Sequence, residues 1–176
     1  MAQSSSDIAS PALKQFMARK PLGPLTDGEL RRLNQLQPQV RDKIVTLRAA
    51  LNARGLDFFL GSTMRSPSEQ AEKLKQGRSA LKTPWWHGSG RASDLYMFGP
   101  DGTLDMKARN KDTYRAMHAE AEALGFRVLG FKELKSGSKT FSDPYHVELR
   151  EGLAKEVAYE RYRTGTDRSA DGKVYA

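Results

Sequence analysis

Two short stretches hold most of the side chains able to do chemistry. His87-Gly88-Ser89-Gly90-Arg91-Ala92-Ser93-Asp94 joins an imidazole to a carboxylate through small residues that let the backbone fold closely around an ion. Asp143-Pro144-Tyr145-His146-Val147-Glu148 carries a second imidazole between two carboxylates. The inventory narrows what they can do. The 176 residues include no Cys and only three His, at 87, 118 and 146. Disulfide frameworks, thiolate zinc sites, iron–sulfur clusters and cysteine nucleophiles are therefore excluded, and any metal must be held by nitrogen and oxygen. A mixed His/carboxylate site is the most this chain can build.

Strand geometry puts Ala92 and Asp94 on one face, a small residue beside a carboxylate, which leaves room next to the Asp oxygen. The alternative is a loop with no ligand. Pro144 moves Asp143 out of helical geometry, so Asp143 and His146 meet at a turn entering a strand and can point into one pocket. Further along, His146 and Glu148 share a face while Val147 and Leu149 take the other. That suits a ligand backed by a carboxylate, or an amphipathic edge strand. Together the two stretches supply His87, Asp94 and His146 as three ligands, with Asp143 to spare. A catalytic Zn2+ site takes three protein ligands and leaves one position for water, whose pKa falls from about 9 for the aqua ion toward about 7 in such a site. Asp143 is then the candidate general base, moving a proton from water to a leaving amine.

The elements that must position these residues follow from caps and periodicity. Thr26-Asp27-Gly28-Glu29 reads as a capping box opening a helix to about Gln37, interrupted by Pro38. Val40, Ile44, Leu47 and Leu51 form one apolar helical face up to Arg54, stopped by Gly55. Residues 56–60 read as a buried strand. Ser66-Pro67-Ser68-Glu69 restarts a helix that ends near Gly77, which leaves Arg65 at a strand-to-helix junction. A Trp-rich loop, a strand over 92–98, a helix over about 110–124, a strand over 126–129, a loop rich in Lys, Gly and Ser, a strand over 145–149 and a helix over about 152–162 complete the chain. This is an α+β domain, a small, mostly antiparallel sheet flanked by helices. Residues 1–25 form an N-terminal extension expected to be partly disordered. The domain itself covers 26–162, and 163–176 is a polar tail expected to fray.

The chain resembles the zinc D-Ala-D-Ala carboxypeptidase and L-alanyl-D-glutamate endopeptidase family, which includes many bacteriophage endolysins. That family's signature, Ser-x-His-x-x-Gly-x-Ala-x-Asp followed by Glu/Asp-x-x-His, is met by His87, Gly90, Ala92 and Asp94 and then by Asp143 and His146. The segment 61–66 with Gln70 is similar to the family's Gly-Tyr-Arg-Ser segment and its following Gln, so the resemblance spans roughly residues 56–150. It implies a single-domain zinc peptidase with one Zn2+ on His87, Asp94 and His146. Asp143 would be the base, and Arg65 would polarise the scissile carbonyl and hold its oxyanion. Ser62, Gln70, Trp86 and Glu148 would contact substrate or support these groups. Trp85 replaces the signature's serine. Asp rather than Glu at 143 resembles the phage endopeptidase branch.

An excess of 29 Lys and Arg over 21 Asp and Glu gives +8 and a pI near 9.8, which suits a polyanionic partner. Lys73, Lys75, Arg78 and Lys82 make one cluster, and Arg127, Lys132, Lys135 and Lys139 another; solvated surface is the plain reading of both. The first dozen residues show neither the basic nor the apolar region of a secretory signal, and no apolar run is long enough to span a bilayer. With the resemblance, these features imply a monomeric phage endolysin made in the host cytoplasm. It would reach peptidoglycan after the membrane is permeabilised, meet anionic wall or outer-membrane polymers through its basic surface, and bind no nucleic acid. A D-Ala-D-Ala carboxypeptidase, a non-catalytic wall-binding or virion module and a basic nucleic-acid binder are the alternatives. His118, on the flank of the stripe Tyr114, Met117, Ala121 and Leu124, reads as a surface or boundary histidine outside the metal site.

Overall fold

The computed structural model describes residues 19–77, 79, 81–136 and 139–175, with side chains outside 132–141. Expectations for residues 1–18, and for Arg78, fall outside the described residues. Elements follow in the order α1 (Asp27–Gln35), α2 (Pro38–Asn52), β1 (Phe58–Leu60), α3 (Pro67–Lys75), α4 (Trp85–Gly88), β2 (Ala92–Met97), α5 (Lys111–Ala123), β3 (Arg127–Ser136), β4 (Lys139–Glu148) and α6 (Lys155–Arg163). The strands form one antiparallel sheet in the order β1-β2-β4-β3, so the α+β expectation holds.

Local chemistry explains the helix starts. Thr26 and Glu29 complete a capping box at α1, and Ser66 and Glu69 complete another at α3, where Pro67 occupies the first turn without losing a needed donor. Pro38 does the same for α2; rather than only interrupting a helix, it starts the next one. Val40, Ile44, Leu47 and Leu51 of α2 pack with Tyr114, Met117 and Ala121 of α5 against one sheet face, made of Phe58, Leu60, Leu95, Met97 and Val147. Residues two apart share a face. The opposite face of β2 and β4 therefore carries Ala92, Asp94, His146 and Glu148.

Three expectations are corrected. The Lys/Gly/Ser-rich loop before Tyr145 is instead a ribbon of two ten-residue strands. Pro144 lies within β4, not in a turn; β2 pairs with β4 only over Ala92–Asp94 and Val147's neighbours, so the missing N–H at 144 breaks no ladder bond to β2. The Trp-rich loop contains the one-turn helix α4. In addition, residues 163–175 do not fray but fold back against the loop after α1, with Ala170 N donating to Leu36 O at 2.7 Å. Polarity signals solvent only where no backbone partner is within reach, and here main-chain groups supply one.

A buried ion cluster ties the start of the described chain to the sheet. Arg19 donates to Glu29 Oε1 at 2.9 Å and to Asp57 Oδ2 at 2.5 Å, and Arg48 Nε donates to Asp57 Oδ1 at 2.9 Å. Backbone N–H groups of Leu22 and Phe58 complete the acceptors of Asp57. Asp57→Ala removes the carboxylate shared by the Arg19 and Arg48 guanidinium groups and leaves Arg19 only Glu29, so we expect a loss of about 3–5 kcal/mol in urea unfolding. Arg54→Ala, at an exposed pair with Glu120, is expected to cost under about 1 kcal/mol.

Candidate metal centre

Antiparallel register sets Asp94 directly opposite His146, and Ala92 opposite Glu148. His87 arrives from α4, whose short turn is held by Arg91 N donating to Trp86 O at 2.9 Å. One nitrogen of each ring and a carboxylate oxygen of Asp94 then lie within 4.8 Å of one another. Three residues separated by up to 59 positions in the chain thus converge on one point.

The outer hydrogen bonds decide which ring nitrogen faces that point. His87 Nδ1 lies 2.8 Å from the carbonyl of Thr63, which can only accept, so Nδ1 carries the proton and the Nε2 lone pair faces Asp94 Oδ1 at 3.3 Å. His146 Nε2 lies 2.9 Å from Glu148 Oε2 and donates to it, while Nδ1 faces the same Asp94 Oδ1 at 3.5 Å. Glu148 is held as an acceptor by Arg150 Nε at 2.6 Å and Arg127 Nη1 at 3.2 Å, both on Oε1. A neutral imidazole lone pair aimed at a carboxylate is repulsive unless a cation or a proton lies between them.

Either occupant fits the electrostatics. Burial lowers the pKa of His87, so the ring is neutral. Burial also opposes the charge on His146, yet its hydrogen bonds to Asp94 and Glu148 win and push it up to about 10. Asp94 is held well below the usual carboxylate range; burial works against this, and the two histidines override it. Without an ion, a proton on His146 supplies the missing positive charge. With one, the donor set is two imidazoles and a carboxylate, which suits zinc. The two ring nitrogens stand 3.3 and 3.5 Å from Asp94 Oδ1, and all three donor atoms lie within 4.8 Å of one another, close enough to share one ion.

Other expected site residues are distributed around this cluster. Arg65 Nη2 reaches Asp94 Oδ2 at 3.4 Å, leaving Oδ1 to the histidines, and Nη1 donates to Gln70 Oε1 at 3.0 Å. Gln70 is buried and anchored by its amide to Ser79 Oγ at 2.8 Å and to the carbonyl of Leu81. Asp143 is partly buried within the β3/β4 pairing, opposite Gly130, where the register shifts on both sides. Burial pushes its carboxyl up to about 6; His146, Arg65 and Lys73 pull it down and Asp94 pushes it further up. Ser62 contributes its main-chain carbonyl, which accepts from Asp94 N at 2.8 Å.

Two placements differ from a cleft wall and a surface. The Trp86 indole is buried with Ala92 and Ala158 in a small second core, under the guanidinium of Arg150, while its carbonyl accepts from Arg91 N beside the His87 turn. Trp85 lies edge-on to Tyr159 beside the same core. His118 is buried, not a surface residue, and its Nε2 is 2.7 Å from the carbonyl of Pro144. The β3/β4 ribbon covers that flank of α5, which the helix pattern alone does not reveal. Among residues the sequence reading missed, Arg150 was legible as a cation two positions beyond Glu148, just past the end of β4. Thr63 was not, because it meets the His87 ring through its backbone carbonyl.

No family model matches the sequence, and no curated protein matches it. Among solved structures, the chain is similar to the L-Ala D-Glu endopeptidase ChiX of Serratia marcescens, with a TM-score of 0.50 and 24% identity over 71% of this chain and 88% of that one. It also matches the L,D-carboxypeptidase DacB of a Streptococcus (TM-score 0.43, 22% identity, 74% of this chain and 72% of that chain). A third match is the LD-carboxypeptidase LdcB (TM-score 0.44, 20% identity, 71% of each). The likeness to the Serratia endopeptidase shows that the two share a fold.

Glu148→Gln is expected to weaken Zn2+ binding about 10–100-fold in a chelator competition assay, and His146→Ala to abolish it. Below pH about 10 an entering ion must displace the His146 Nδ1 proton. Zn2+ affinity should therefore rise with pH, by about tenfold per unit between pH 6 and 8, with proton release visible calorimetrically as a buffer-dependent enthalpy.

Proposed function

We propose that this chain is a zinc-dependent peptidoglycan hydrolase of the phage endolysin type, cutting the L-Ala/D-Glu bond of the stem peptide in host cell lysis. The observation that carries the reading is the aim of His87 Nε2 and His146 Nδ1 at one oxygen of Asp94, with Arg65 on the other oxygen and Asp143 alongside. The fold shared with the Serratia L-Ala D-Glu endopeptidase supports a stem peptide as substrate.

In this reading a bound Zn2+ supplies Lewis-acid chemistry, making water nucleophilic near neutral pH and polarising the scissile carbonyl. His87, Asp94 and His146 hold it, and Glu148 keeps His146 in the tautomer that presents Nδ1. Asp143, with a pKa raised to about 6, accepts the proton of the attacking water and hands it to the leaving amine. A base with a pKa near the working pH serves both transfers. Arg65 stabilises the negative charge that develops on the carbonyl oxygen, and Gln70 and Asp94 restrict its guanidinium so that little reorganisation accompanies the transition state. A basic surface suits anionic polymers of the wall or outer membrane. No helix among the described residues is long and apolar enough to cross a membrane.

Mass spectrometry of the soluble fragments released from purified sacculi tests the reading. Peptides beginning at D-Glu, lost on chelation and regained with Zn2+, are expected. Release of terminal D-Ala alone would instead make it a carboxypeptidase, and bound Zn2+ with no product would leave a wall-binding module. Asp143→Ala should keep Zn2+ and fold while turnover falls by about 10²–10⁴.

A further inference from the structure

The stretch after α6 does more than close the fold. Three hydrogen bonds fasten it to residues 34–37, the last residues of α1 and the link to α2, together the connector: Ser169 Oγ to Gln35 O at 2.6 Å, Ala170 N to Leu36 O at 2.7 Å and Asp171 N to Asn34 O at 3.2 Å. Ser169 is buried and also bonds the Tyr162 hydroxyl at 2.7 Å, which anchors the stretch to α6.

The connector's other side meets the turn that follows His87. Gln37 N donates to Gly90 O at 2.9 Å, and the buried Gln37 amide donates to Ser89 O at 2.7 Å. Gln35 Oε1 accepts from Thr63 Oγ1 at 3.1 Å, and the carbonyl of Thr63 is the acceptor that fixes the His87 ring. Gly90 has φ +67°, and a Cβ there would come within 3.2 Å of both Gln35 O and Gln37 N. The connector therefore presses on the turn at a position that only glycine fits. On the far side Asp167 reaches the buried guanidinium of Arg91, the residue after Gly90, at 3.7 Å.

We infer that residues 167–171 are a positioning element of the metal centre. By holding the connector they hold Thr63 and the Ser89–Gly90 turn, and so aim Nε2 of His87 at Asp94. The inference rests on reading His87, Asp94 and His146 as metal ligands. Ser169 and Gln35 touch neither ion nor substrate and act through His87.

Zn2+ affinity of the full chain, measured against a chromophoric chelator well below the unfolding temperature, tests it. Ser169→Ala and Gln35→Ala should each weaken binding about tenfold, at the low end of what groups supporting a ligand contribute. The double variant should be little worse than either, because both break one relay. Ser169→Thr, which keeps the hydroxyl, should restore most of the affinity. Gln35→Ala should also shift the ring nitrogen resonances of His87 in the metal-free protein and leave those of His146 in place. Ile44→Val, which loosens the main core, should lower Tm without changing affinity. Parent-like Zn2+ binding in both alanine variants would overturn the inference while leaving the metal centre intact, as would weakening in Ile44→Val that matched theirs at equal loss of Tm. If Ser169→Ala does not fold, Gln35→Ala decides, since among the described residues its side chain bonds only Thr63. A parent chain that binds no Zn2+ would remove the metal reading itself, and the inference with it.

Discussion

The pairing of β2 with β4 is the constraint on which the site depends. Asp94 meets His146 and Ala92 meets Glu148 because the strands are antiparallel in one particular register. The period of a strand is two, so a slip of one residue would turn both polar rows into the core and bring Leu95 and Val147 out to the site. What resists the slip lies on the other face, where Leu95, Met97, Val147 and Leu149 are buried under α2 and α5. At roughly 25 cal/mol per Å² of apolar surface, exposing these side chains would cost several kcal/mol. The core thereby holds the geometry of a cluster it does not touch.

Two buried charge clusters in the molecule differ in a way that separates structure from function. Around Asp57 every carboxylate oxygen meets a donor, from Arg19, Arg48 or a backbone N–H. That cluster is closed and has no use for another ligand. At Asp94 two imidazole nitrogens and a carboxylate oxygen converge, and a positive centre, a cation or a proton, is needed between them. Outside this point, Thr63, Glu148, Arg127, Arg150 and Gln70 satisfy the groups that would otherwise rotate away. The three side chains are thus held in place by their own partners, the kind of preorganisation that lets a cluster able to hold an ion do so at small entropic cost.

Much of this was legible in the chain itself. Capping boxes at Thr26 and Ser66, the apolar face of α2, and the residues at 87, 94, 143 and 146 are encoded in spacings of a few positions, and interactions over one helical turn or one strand pair need no knowledge of the remainder. The inventory also bounded the chemistry, since a chain without Cys and with three His can offer only nitrogen and oxygen ligands. Tertiary structure decided the rest. It put His118 under the β3/β4 ribbon and Trp86 into the small core, because burial depends on what packs over a residue. It set the tautomer of each ligand histidine through the Thr63 carbonyl and Glu148, and it laid a polar C-terminal stretch against the connector after α1. Backbone carbonyls accept from any partner that comes close, so no residue type advertises them, and only the folded path of the chain shows which donors they meet.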